Sequence, residues 1–183
     1  MASASRLPLV EPADLGRDPA LAERRAVLRR TLRALPEEMV AALARGLEAN
    51  AGQLVAGRLF TQRGGGGCAV GVMLRELRPE RFSRERLRPW SITAWRRTIA
   101  SLDGELGRNP RLRHLEWTFD QAVERVERLC PNLPPTPAAG LVGSWFRAEA
   151  RSELLRRRIE GSIAPSSPGP MVWPEELESS PVA

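Results

Sequence analysis

Along most of this chain the apolar positions recur every three or four residues, and that period predicts helices. Leu21, Leu28, Leu32 and Leu35 fall on one stripe, with Arg25, Arg29 and Arg33 on the neighbouring ridge. Asp18-Pro19 supplies the start: an N-cap acceptor followed by a proline at the position where a missing N–H costs nothing. Pro36-Glu37-Glu38 begins a second helix with acids in its first turn, where the helix dipole favours them, and Asn50-Ala51-Gly52 closes it.

Between residues 53 and 77 the texture changes. The run LVAGRLF at 54–60 carries branched and aromatic residues between glycines and predicts a short strand. After Gly64 to Gly67 the segment CAVGVMLREL fits either the return strand of a hairpin reaching residue 72 or a short buried helix starting near Cys68. Its helix formers Met73, Leu74, Arg75, Glu76 and Leu77 favour the helix, and Pro79 stops it. A charged connector at 78–89 contains Phe82. Ser91 then caps a helix striped by Ile92, Trp95, Ile99, Leu102 and Leu106, with Trp90 and Trp95 placed as a hydrophobic staple.

A turn at 107–110 leads into an amphipathic run lined by Leu112, Leu115, Phe119, Ala122, Val126 and Leu129. Continuous helix through this run turns Trp117 away from the core, so the expected break lies near Trp117, with Thr118 and Gln121 as a capping box. A proline loop follows, and a last helix at 138–160 presents Leu141, Trp145, Ala148, Leu155 and Ile159 as its stripe. The expected fold is mainly α: a single compact helical domain of five or six helices over 18–161 with one small β element, a possible hairpin near residues 54–72. An extended arm at 1–17 and a disordered Pro/Ser-rich tail at 162–183 flank it.

Composition adds the charge. The 183-residue chain has no lysine, so all 28 of its fixed side-chain cations are arginines, and its formal net charge is +6. Such a surface favours anionic partners. Codon bias across a genome gives the same all-arginine, tyrosine-free composition without any functional pressure. Two cysteines and the absence of a secretory pattern in MASASRLPLV point to a reducing, cytoplasmic setting, and no run approaches a membrane span.

Four glycines before Cys68 do not make a nucleotide-hydrolase phosphate loop, which needs lysine and a hydroxyl where cysteine and alanine stand here. A helix starting at Cys68 would instead lower the thiol pKa, which makes Cys68 a candidate reactive thiol for an enzyme or redox sensor. His114 is the sole histidine and has no base or ligand set around it, so neither a catalytic group nor a metal site follows, and no cofactor is implied. The stronger signal is arginine density. Arg81, Arg84, Arg86, Arg88, Arg96 and Arg97 cluster among aromatics. Arg111 and Arg113 open the second helix of a unit resembling a helix-turn-helix. Arg147, Arg151 and Arg158 form a ridge on the last helix. These eleven are the candidate nucleic-acid-binding residues, against the plainer reading of solvated, salt-bridged faces. In the tail, Met171, Val172 and Trp173 before Pro174-Glu175-Glu176 look like a docking peptide for a protein partner. The function expected is thus a non-enzymatic binding protein using arginines on an anionic partner, nucleic acid first, with a tail-docked adaptor or a Cys68 thiol enzyme as alternatives.

Overall fold

A computed structural model describes residues 15–57, 67–80, 97, 99–101, 103–104 and 111–162. The described residues are mainly helical. The five helices are α1 (Pro19–Ala34), α2 (Glu37–Ala49), α3 (Ala69–Leu77), α4 (Arg111–Leu129) and α5 (Pro135–Gly161), and positions 97, 99–101 and 103–104 are helical as well.

Asp18 caps α1 as expected, its Oδ1 accepting from the Leu21 N–H at 2.9 Å with Pro19 in the first turn. Leu35 ends the helix in extended backbone, the conformation that a following proline imposes. α2 places Met39, Val40, Leu43 and Leu47 in the core and packs most extensively on α3 and α5. The α2–α3 approach is close because Gly46 faces backbone: a Cβ there would lie 2.6 Å from the Val72 carbonyl oxygen. α4 runs antiparallel to α1, pairing near Asp18 with its C-terminal half and near Ala34 with its first residue. Phe119 of α4 meets Phe146 of α5 edge to face, ring centroids 5.3 Å apart, at the centre of one continuous apolar cluster.

Three expectations are corrected. Residues 69–72, proposed for the return strand of a hairpin, are the first turn of α3, and the β character that the described residues show is one parallel bridge between Leu54 and Gly67. Residues 58–60 of the expected strand lie outside the described residues. α4 is unbroken through Trp117; Thr118 is a buried mid-helix residue, and Gln121 bonds Glu124 instead of closing a capping box. Trp117 can face outward, 48% exposed, because the Arg24 guanidinium covers its ring at 4.4 Å. α5 begins three residues earlier than expected and buries a different face, made of Ala138, Ala139, Val142, Gly143, Phe146 and Ala150. Of the stripe expected inside, Leu155 is 59% and Ile159 55% exposed.

The expected arm lies outside the described residues up to position 14; Leu15 is buried. The turn at 107–110, the Trp90–Trp95 staple and the tail from 163 onward also lie outside them. Among the described residues no helix is long and apolar enough to cross a membrane.

Candidate nucleic-acid interface

The described arginines fall into three groups by what their guanidinium groups touch. The first is held by carboxylates. Arg125 of α4 grips Asp18 at 2.5 Å, and this contact, with the Leu21 N–H, holds the Asp18 carboxyl below its ordinary pKa. Arg29 pairs with Glu149 at 2.8 Å, tying α1 to α5, and Arg151 pairs with Glu48 at 2.7 Å, tying α5 to α2. Glu153 is buried on α5 between Arg156 (2.6 Å) and Arg157 (2.8 Å); their hydrogen bonds outweigh the cost of burial and pull its pKa down to about 2.

The second group caps a helix. Arg157 reaches from α5 to the end of α1, donating to the carbonyls of Leu32 (2.7 Å) and Leu35 (2.9 Å), and Arg111 donates from α4 to the carbonyl of Ala34. Two guanidiniums from two other helices thus satisfy the carbonyls that α1 leaves open at its C-terminus, where the dipole also favours cations. Arg24 and Arg25 lie over Trp117 and Trp145 respectively.

The third group has neither role. Arg17 before α1, Arg30 and Arg33 on α1, Arg97, Arg113 on α4 and Arg158 on α5 are exposed, and none of their guanidinium groups has an ion pair or hydrogen-bonding partner among the described residues. Arg33, Arg113 and Arg158 sit beside the capping contacts just described, so three helices deliver them to one end of the bundle. Glu37 and Glu38, in the first turn of α2, are exposed acids of that end, as is Glu160, which is paired to Arg156.

Of the eleven candidate residues, Arg81, Arg84, Arg86, Arg88 and Arg96 lie outside the described residues, as do Met171, Val172 and Trp173. The other six separate. Arg111 and Arg151 are engaged in holding the fold, Arg147 is half-buried on α5, and Arg97, Arg113 and Arg158 are exposed. Arg30 and Arg33 were missed because they read as the flank of an amphipathic helix; that neither forms an ion pair among the described residues depends on packing.

The start of α4, where groove contacts were expected, is already occupied. The buried carboxylate of Asp103 accepts from the Leu112 N–H at 2.7 Å and from the Arg113 N–H at 3.2 Å. An anion therefore already sits on the N–H groups that a phosphate would need, and Arg113 is left to act through its side chain.

Cys68 stands at the start of α3, as the helix reading requires, but with its sulfur buried. Burial pushes the thiol pKa up, and the negative charges of Glu116 and Asp120 on α4 add to the rise. Asp120 itself is raised by burial, partly offset by the Gly57 N–H that it accepts at 2.9 Å. This environment keeps the thiol protonated, the opposite of what a nucleophile or thiolate sensor requires. His114 is an exposed residue of α4. No protein-family model, curated protein or solved structure matches the chain.

Proposed function

We propose that this chain is a non-enzymatic binding protein that sets arginines from several helices against the phosphates of a nucleic acid. The observation that supports the reading is the third group of arginines. Among the described residues the guanidinium groups of Arg33, Arg113 and Arg158 have no carboxylate or carbonyl partner, at an end of the bundle where neighbouring guanidiniums are committed to structure. Arginine suits this task because its planar fork meets phosphate oxygens in pairs. Arginine contacts to phosphate are backbone-directed and salt-dependent.

The test is fluorescence anisotropy of the nuclease-treated protein with short duplex DNA, single-stranded DNA and RNA across a salt series. Binding is expected to weaken linearly with the logarithm of salt, by about 0.9 in slope for each duplex phosphate contacted. Arg33→Glu/Arg113→Glu/Arg158→Glu should lower both affinity and slope without lowering the helix content. Absent binding at low salt, or binding indifferent to salt and to these reversals, refutes the proposal.

A further inference from the structure

α5 carries two apolar stripes. One is the small-residue face in the core. The other, through Trp145, Ala148, Ser152, Leu155 and Ile159, alternates steps of three and four residues, the spacing with which a helix presents a seam to another segment. Arg25 covers Trp145, but over the last three turns Leu155 and Ile159 stand side by side, 59% and 55% exposed. The flank of this patch is basic: Arg158 is exposed with no side-chain partner among the described residues, and Arg151 is exposed while paired to Glu48. Glu160, the acid nearest in sequence, is paired to Arg156.

A second copy of the same seam would set arginine against arginine on the flanks. The patch calls for an occupant that is apolar and acidic together, and the chain contains one. Met171, Val172 and Trp173 are followed, after Pro174, by Glu175, Glu176, Leu177 and Glu178.

The connection is long enough. Residues 163–170 separate the end of α5 from Met171, and eight extended residues reach about 26 Å. The return from Ser162 to Leu155 along the helix is about 10 Å. So short a tether holds the tail at an effective concentration on the order of millimolar, so contacts too weak for separate molecules still form within one chain.

We infer that residues 171–178 dock back on their own chain, seating Trp173 against Leu155 and Ile159 and setting the three glutamates toward Arg151 and Arg158. Arg158 belongs to both readings, so a docked tail and a nucleic acid would compete for that guanidinium, but the seat of Trp173 on Leu155 and Ile159 does not require phosphate binding.

The experiment is fluorine NMR of the full chain grown with 5-fluorotryptophan, the Trp173 resonance being assigned with Trp173→Phe. In the parent protein that resonance should be displaced from its position in the free peptide MVWPEELESS. Leu155→Ser/Ile159→Ser, at exposed positions, should return it to the free-peptide position while the Trp117 and Trp145 resonances stay in place. Glu175→Gln/Glu176→Gln/Glu178→Gln should return it part of the way. A parent resonance already at the free-peptide position, or one unmoved by the double substitution, overturns the inference. So does a displacement lost on tenfold dilution, since the occupant would then be a second copy.

Discussion

Gly46 provides the sharpest test of the packing. Its α-carbon faces the backbone of α3, where an added methyl group would meet the Val72 carbonyl oxygen at 2.6 Å and its carbon at 2.8 Å. A Cβ needs at least 3.0 Å, so Gly46→Ala must separate the helices locally by about 0.4 Å or more. The backbone cannot swing aside as a side-chain tip would: Val72 is internal to α3 and donates to the Cys68 carbonyl at 3.1 Å. Its neighbours Val70, Met73 and Leu74 are all buried. A gap near half an ångström forfeits about a quarter of each dispersion contact across the interface. Overpacking of this kind costs about 2–3 kcal/mol, toward the top of its range because the obstacle is backbone. Alanine's better helix propensity returns about 1 kcal/mol. The net loss is about 1–2 kcal/mol, which lowers Tm by about 2–8 °C in a chain of this size. Gly104→Ala is the paired control: that glycine is also helical but has no atom within 4 Å of the new methyl, so the same substitution should raise stability by about 0.5–1 kcal/mol. Urea titration and thermal melts followed by circular dichroism would measure both. A Gly46→Ala protein as stable as its parent would refute the close α2–α3 contact.

Three further outcomes follow from the site. Glu153 has its pKa lowered from 4.5 to about 2, so its contribution to stability is complete above pH 4.5 and lost as pH falls toward 2. Glu153→Gln should therefore be less stable at pH 7, with the deficit closing over that window, in melts taken along a pH series; a deficit constant with pH would show that the ion pairs are not its source. Arg157→Ala, which takes a donor from the part-buried carbonyls of Leu32 and Leu35 at the end of α1 and a partner from Glu153, should cost about 2 kcal/mol by urea denaturation, and Arg157→Lys should recover only part of this because one ammonium cannot span Glu153 and the carbonyls as the fork does. Cys68 should resist iodoacetamide in the native protein at neutral pH and react once unfolded; native labelling as fast as a free peptide cysteine would contradict its seat beneath α4.

Helix boundaries set by local chemistry were legible in the sequence. Asp18-Pro19 and Pro36-Glu37-Glu38 act through groups one turn away, and the helix formers from Met73 to Leu77 correctly outweighed the strand alternative. Faces were legible only where one stripe dominates. On α5 the larger residues Leu155 and Ile159 suggest the core, yet Ala138, Ala139, Gly143 and Ala150 take it, because closely approaching helices need small residues where they meet. Gly143 shows how little room that face has, a Cβ there falling 2.2 Å from the side chain of Leu54 in the segment that follows α2. The break expected at Trp117 assumed that an indole must be buried, whereas Arg24 from another helix covers it in place. The division of the arginines was beyond reach for the same reason: whether Arg157 caps α1 or meets solvent depends on a partner some 120 residues away in sequence.

The two contacts that bind α4 to the ends of α1 together amount to a ruler. Arg125 holds the cap of α1 through Asp18, and Arg111 holds its last turn through Ala34. The stretch from Asp18 to Ala34 spans about 24 Å of helix and that from Arg111 to Arg125 about 21 Å. Substitutions on the outer face of α1 leave this match intact. Inserting or deleting one residue does not: it turns everything beyond it by about 100° and shifts the far end by about 1.5 Å, so that one of the two clasps has to open. The length of α1 is thereby more tightly constrained than its surface composition, and changes in chain length within it should be far less tolerated than changes of residue.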